Sequence, residues 1–176
     1  RIVITADLSF GAIKGDFNAV QVWGARGPGR YLLARWHKRA GFEEALAAIE
    51  RLAGQFPTAK VLIEKKSSGH SLIQELRQSK LPILAVKRNR DNDMVSRAHA
   101  ASGVLEHGFV YYMSRTWADE VIEQCAELPN GDHDDMASTC IDAWLWLRRM
   151  YHLRMALEEK EETEGVDLSP RRLYGN

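Results

Sequence analysis

The order of strand-like and helical segments constrains the fold of this chain most strongly. Three β-branched or alternating segments, at 1–6, 18–24 and 31–39, come first and predict an antiparallel meander. Segments with helical periodicity then alternate with short apolar strands, which gives the predicted order β-β-β-α-β-α-β-α-β-α-α. Strands separated by helices pair in parallel, because the helix crosses back over the sheet. We therefore expect an α/β fold with a mixed sheet, antiparallel in its first three strands and parallel afterwards, with helices on both faces.

The composition is that of a globular protein without a membrane span. Of the 176 residues, 45% are hydrophobic and 27% are charged, which excludes a disordered chain. No run approaches the roughly 18 consecutive apolar residues of a transmembrane helix. Lys plus Arg equals Asp plus Glu at 24 each, so a nucleic-acid partner would have to bind a local basic surface. Cys125 and Cys140 lack CxxC spacing, which favours reduced cysteines in a cytosol-like compartment.

The predicted elements fill one domain and a short extension. Residues 1–150 contain all the predicted strands and the helices that alternate with them. Residues 151–176 become charged and aperiodic, which predicts a C-terminal helix extension followed by a flexible tail. The chain enters its first strand directly at Arg1, without a signal peptide, and this start suggests a piece of a longer protein.

Acidic residues stand at the ends of three predicted elements. Asp7 ends the first strand, Glu64 ends the apolar strand at 59–64, and Asp134 and Asp135 open the last long helix. Strand ends gather at one edge of an open α/β sheet, so these side chains can converge. Carboxylates held together repel one another unless a cation neutralises them, and Mg²⁺ and Mn²⁺ prefer oxygen ligands. The positions therefore indicate a site for two divalent cations, of the kind that hydrolyses phosphodiesters.

Each of these acids also has a purely structural interpretation, which the residues alone leave open. Asp7 is compatible with a turn and Glu64 with a solvated rim charge. Asp132 is a candidate N-cap for the last helix, whose dipole would also favour Asp134 and Asp135.

Four stretches together resemble the C-terminal nuclease domain of tailed-phage terminase large subunits, which has a ribonuclease-H-like fold. They are "ADLSFGAIKGDFNAVQVWG", "VLIEKKSSGHSLIQEL", "RNRDNDMVSRAHAASGVLEHGFVYY" and "LPNGDHDDMASTCIDAWLWL". The family pattern is an Asp at the end of the first strand, an acid at the end of the fourth strand, and His-Asp-Asp before the last helix. The order and spacing of all three blocks carry the resemblance, which covers roughly residues 1–150.

The resemblance implies four catalytic residues that bind two Mg²⁺ or Mn²⁺ ions: Asp7, Glu64, Asp134 and Asp135. Of the last two, Asp135 is slightly favoured. Asp16 matches an acid that would hold a water molecule beside the metals, and His133 is expected to hydrogen-bond to the ligands rather than act as a base. Two positions depart from the family: Lys65 stands where relatives often have an acid, and Met94 where they often have lysine.

Basic residues near these acids are expected to contact DNA phosphates. They are Lys65, Lys66, Lys87, Arg88 and Arg90, with His37, Lys38 and Arg39 at the end of the third strand. An ordinary solvated edge is the alternative interpretation of this cluster.

The activity implied by the resemblance is metal-dependent endonucleolytic hydrolysis of double-stranded DNA concatemers during phage genome packaging, in the host cytoplasm. The expected partners are DNA, an N-terminal ATPase motor domain of the same protein, the portal and the small terminase subunit. The chain lacks a GxxxxGK[ST] phosphate loop, so it should not itself be an ATPase. Two alternatives remain: another ribonuclease-H-like nuclease, such as a resolvase or a transposase-like domain, and a non-catalytic module that docks on DNA or the portal.

Overall fold

A computed structural model of the chain describes residues 1–9, 17–64, 67–79, 81–86 and 93–164. The strands are β1 (Ile2–Asp7), β2 (Asn18–Arg26), β3 (Gly29–Lys38), β4 (Lys60–Glu64), β5 (Ile83–Val86) and β6 (Val110–Tyr112). The helices are α1 (Phe42–Gln55), α2 (Ser67–Gln78), α3 (Met94–Ala101), α4 (Gly103–Glu106), α5 (Thr116–Ala126) and α6 (Asp135–Glu164). Of the predicted tail, 165–176 lies outside the described residues.

The six strands form one mixed sheet in the order β5-β4-β1-β2-β3-β6. Strands β1, β2 and β3 are antiparallel neighbours, whereas β4 pairs in parallel with β1, β5 with β4, and β6 with β3. The predicted mixed sheet is therefore confirmed. No helix in the described part of the chain is long and apolar enough to cross a membrane.

The third predicted helix, which the spacing of Met94, Ala98, Ala101 and Leu105 indicates, is divided in two. The periodic segment that begins at Met94 ends as α3 at Ala101, and α4 begins at Gly103. Between them, the Ser102 hydroxyl donates to the His99 carbonyl oxygen at 3.0 Å. A serine that bonds to the preceding turn, followed by a glycine, weakens helix continuity, which accounts for the break.

Helices cover both faces of the sheet, as predicted. In β1, Val3 packs into a core cluster with Cys140 and Trp144 of α6, whereas Ile4 packs on the opposite face with Ile49 of α1. This division follows from the alternation of side chains along a strand. We call the two sides the α6 face and the α1 face.

A β-bulge changes this alternation in β3. Val22 of β2 pairs with Ala34, but the next residue, Trp23, pairs with Leu32, so Leu33 is an extra residue in β3. Because of this insertion, Leu32 before the bulge and His37 after it both lie on the α6 face, although an odd number of positions separates them.

Candidate active site at the carboxyl ends of β1 and β4

The sheet register places the predicted strand-end acids in one row. Asp7 of β1 pairs with Ala19 of β2, and Ala19 pairs with His37 of β3. On the other side of Asp7, the parallel pairing of β1 with β4 continues the row to Glu64. Neighbouring strands lie about 4.8 Å apart, so the backbone of Asp7 is about 5 Å from Glu64 and about 10 Å from His37.

The side chains of this row lie on the α6 face. Two residues before Asp7, the Thr5 hydroxyl donates to the Thr139 carbonyl oxygen of α6 at 3.0 Å, and alternation puts Asp7 on the same face. Leu62 belongs to the core cluster on the α6 face, and the same alternation puts Glu64 there. The two acids therefore lie side by side under the start of α6.

Two buried glutamines hold the first turn of α6 in place. Gln21 of β2 donates from Nε2 to the Met136 carbonyl oxygen at 3.1 Å. Gln124 of α5 accepts through Oε1 from the Ala137 N–H at 2.9 Å. The first N–H groups of a helix lack partners within the helix, so Gln124 satisfies one of them. These contacts fix where the first residue of α6 lies above the sheet.

The adjacent aspartates at this helix start have different environments. Asp135 is 9% exposed, and its Oδ2 lies 2.7 Å from Nε2 of His37. Asp134 is exposed, and its carbonyl oxygen accepts from the Ser138 N–H at 2.7 Å, which puts it in the N-cap position. The interpretation of Asp132 as the N-cap is therefore wrong, because the helix begins three residues after it.

Phe17 gathers three basic side chains beside this site. Its ring stacks on His37 with centroids 4.5 Å apart and meets the edge of His133 at 5.3 Å. The Arg39 guanidinium lies 4.6 Å from the Phe17 ring centroid. The structure thus places His133 against an aromatic ring, and its predicted hydrogen bond to a metal ligand stays a prediction.

Asn18 ties together the segments that follow β1 and β3. Its side chain is fully buried, accepts from the Ser9 N–H at 2.7 Å and donates to the Ala40 carbonyl oxygen at 2.8 Å. Ser9 follows Asp7 by two residues, so this bridge fixes the chain directly after a predicted ligand.

The structure brings some of the predicted residues together and leaves others apart. Glu64 and Asp7 are neighbours, Asp135 lies beside His37 on the same face, and Asp134 is exposed. Among the described residues, no three His, Cys, Asp or Glu side chains form a group that could hold a metal ion. The remaining predicted positions lie outside the described residues: Asp16, Lys65, Lys66, Lys87, Arg88 and Arg90.

The donor atoms that are present nevertheless fit a divalent cation. Asp135 Oδ2 and His37 Nε2 are buried and have no hydrogen-bond partner in the described ranges. Buried polar atoms are normally satisfied, so an orphaned carboxylate oxygen at this position is what a metal ligand would leave. Sequence reasoning grouped His37 with DNA-contacting residues and missed its approach to Asp135. No local sequence pattern indicates this approach, because it depends on the register of β3 against β2 and on the bulge in β3.

Solved structures share this fold. The large terminase nuclease of thermophilic phage G20c, determined with bound zinc, is 16% identical with a TM-score of 0.64, over 81% of this chain and 79% of that chain. The manganese-soaked nuclease domain of human cytomegalovirus terminase is 15% identical with a TM-score of 0.60, over 87% and 85%. Fowlpox virus resolvase, in complex with Holliday junction DNA, is 12% identical with a TM-score of 0.52, over 85% and 99%.

Sequence identities this low show only that the fold is shared. A match to a family model identifies the family. No curated protein sequence matched the chain. The model of the terminase RNaseH-like domain, however, matches residues 4–145, a range that includes Asp7, Glu64 and Asp135. Because this range is most of the 176 residues, the chain belongs to the family of terminase RNaseH-like domains.

Proposed function

We propose that this chain is the nuclease domain of a phage packaging terminase and hydrolyses double-stranded DNA concatemers with the help of two divalent cations. One observation carries the proposal: Asp7 and Glu64 end neighbouring strands on the face where α6 begins with the buried Asp135. Bound metals in relatives support it, since the G20c nuclease has been determined with zinc and with magnesium, and the cytomegalovirus domain with manganese.

In this proposal the chain's own residues hold and orient the ions. Asp7, Glu64 and Asp135 supply carboxylate oxygens for Mg²⁺ or Mn²⁺, and Asp134, at the exposed rim, supplies a further ligand that contributes less to catalysis. When bound, the two cations supply activation of the attacking water and charge stabilisation at the leaving oxygen. In the proposal, Asp16 holds a water molecule beside the ions and His133 hydrogen-bonds to a ligand.

Plasmid cleavage tests the proposal directly. Supercoiled plasmid incubated with the chain and Mn²⁺ or Mg²⁺ is expected to be nicked and linearised, and EDTA is expected to stop the reaction. Asp7→Asn should be inactive, whereas Glu123→Gln, an exposed acid on α5, should cleave like the wild type. The proposal would be wrong if neither Mn²⁺ nor Mg²⁺ supported cleavage, or if the Asp7→Asn variant were active.

A second candidate is a ribonuclease-H-like nuclease that acts on branched DNA. The similarity to the fowlpox resolvase, whose structure contains a Holliday junction, favours it. A four-way junction and a linear duplex of the same sequence separate the two. A packaging nuclease should cut both without preference for the crossover, whereas a resolvase should make paired nicks at the crossover. A non-catalytic docking module would cut neither.

The proposed role in packaging implies the partners and the location of the chain. The chain would act in the host cytoplasm, joined to an ATPase motor domain of the same protein and assembled with the portal and the small terminase subunit. Its sequence contains no GxxxxGK[ST] motif, so the motor's ATP hydrolysis would take place outside these residues.

Arg39 is expected to contact a DNA phosphate beside the metal site. Its guanidinium is exposed and rests on Phe17, whereas the neighbouring Lys38 ammonium is paired with Glu44. Arg39→Ala should weaken duplex binding and reduce the slope of log affinity against log salt by about 1, as loss of one phosphate contact does. Lys38→Ala should reduce the duplex affinity and the salt slope by less. Fluorescence anisotropy in EDTA measures binding without cleavage, and equal losses for the two variants would refute a specific contact.

A further inference from the structure

The contact between His37 and Asp135 lacks the geometry of a hydrogen bond. Nε2 and Oδ2 are 2.7 Å apart, in side chains that are 14% and 12% exposed. Both atoms are nevertheless buried without a hydrogen-bond partner among the described residues, so the ring N–H is not aligned with the carboxylate. Two polar atoms have therefore been brought together in a buried place without satisfying each other.

A shared cation would satisfy both atoms. Two ligand atoms that each lie about 2.1 Å from one cation, at roughly a right angle, are about 3 Å apart. The observed separation is close to that value. A simple ion pair would also bring the atoms together, but it gains most of its strength from an aligned, charge-assisted hydrogen bond, and that alignment is missing here.

The two side chains come from separate, well-fixed elements. His37 lies in β3 opposite Ala19, and its ring is stacked on Phe17. Asp135 starts α6, whose first turn is anchored by Gln21 and Gln124. Each side chain is therefore held by contacts of its own element. The short distance between Nε2 and Oδ2 does not require an attraction between the two side chains.

We infer that His37 is a nitrogen ligand of the cation bound by Asp135, so that the site prefers transition ions such as Mn²⁺, Co²⁺ or Zn²⁺ over Mg²⁺. The inference rests on the proposed function, which places a carboxylate metal site here. Imidazole nitrogen suits transition ions, whereas Mg²⁺ takes oxygen ligands and keeps several waters. A site of carboxylates alone would lack this source of discrimination.

Metal binding to the intact chain without DNA tests the inference. Calorimetric titration with Mn²⁺ and Mg²⁺ gives the affinities, and the visible absorption of bound Co²⁺ reports a nitrogen ligand. His37→Ala is expected to weaken Mn²⁺ binding by about tenfold or more and to change the Co²⁺ spectrum, while Mg²⁺ affinity changes by less than about twofold. His152→Ala, an exposed histidine in the distal part of α6, is the control and should bind all three ions like the wild type.

His37→Gln guards against misfolding, because its side chain still packs against Phe17 and its amide oxygen remains a ligand for Mg²⁺. It should lose the preference for Mn²⁺ while its metal-free melting temperature stays near that of the wild type. If the His37 variants bound Mn²⁺ and Mg²⁺ more weakly by the same factor, or bound both with unchanged affinity, the inference would be overturned. His37 would then be only an ion-pair partner of Asp135. Asp135→Asn distinguishes this failure from that of the proposed function: if it still binds Mn²⁺ normally, the carboxylate site itself is wrong.

Discussion

Asp135→Asn is expected to abolish metal-dependent DNA cleavage, whereas Asp134→Asn is expected to retain most of it. Asp135 is buried and lies 2.7 Å from His37 at the start of α6, above the strands that end in Asp7 and Glu64. A buried metal ligand contributes several kcal/mol of transition-state stabilisation, so loss of the Asp135 carboxylate should slow cleavage on the order of a thousandfold.

Asp134 is exposed and occupies the N-cap position, where asparagine is equally favourable. Asp134→Asn therefore removes the charge without removing the cap, and the rate should fall by less than about tenfold. Initial rates of plasmid nicking in Mn²⁺ measure both effects, and circular dichroism confirms that both variants are folded. Similar rates for the two variants would mean that burial does not decide which of the two aspartates contributes more to catalysis.

Gln21→Leu is expected to lower the free energy of unfolding by about 2–4 kcal/mol. Besides its bond to Met136, Gln21 accepts through Oε1 from Trp23 Nε1 at 2.8 Å and from Cys140 Sγ at 3.1 Å. Burial raises the pKa of the Cys140 thiol, so Cys140 keeps its proton and remains a donor. Leucine is of comparable size but would leave three buried polar groups without this partner.

Urea denaturation monitored by tryptophan fluorescence measures the loss, with Gln55→Leu at the exposed end of α1 as the control. That control should change stability by no more than about 0.5 kcal/mol. We also expect Gln21→Leu to slow cleavage, because the bond from Gln21 to Met136 helps hold Asp135 above the sheet. A loss below about 1 kcal/mol would show that nearby groups replace the missing bonds.

The sheet was largely predictable because its strands carry simple hydrophobic patterns. The segment ending in Glu64 is continuously apolar, and β4 indeed lies between two strands with Ile63 on the α1 face and Leu62 on the α6 face. The placement of acids at strand ends was equally visible, since Asp7 and Glu64 need only the topology to become neighbours.

The finer parts of the candidate site depend on interactions that local sequence does not contain. Asp134 and Asp135 are adjacent and chemically identical, and tertiary contacts such as the anchoring of α6 by Gln21 and Gln124 decide which of them is buried. The role of His37 is hidden for another reason. Regular alternation from Leu32 would have put His37 on the α1 face, and nothing in the local pattern reveals the bulge between them.

That bulge makes β3 two half-strands of opposite phase. Before Leu33, the strand directs Leu32 into the hydrophobic core on the α6 face. After Leu33, it directs His37 towards Asp135 on the same face. One strand therefore contributes to both the core and the candidate site on one side of the sheet. Insertions and deletions in this part of the strand should therefore contain an even number of residues. Inserting or deleting one residue between the bulge and His37 would exchange the faces of the second half, whereas a change of two residues would preserve them. Among homologous chains, β3 should accordingly vary in length by even steps between the bulge and the histidine.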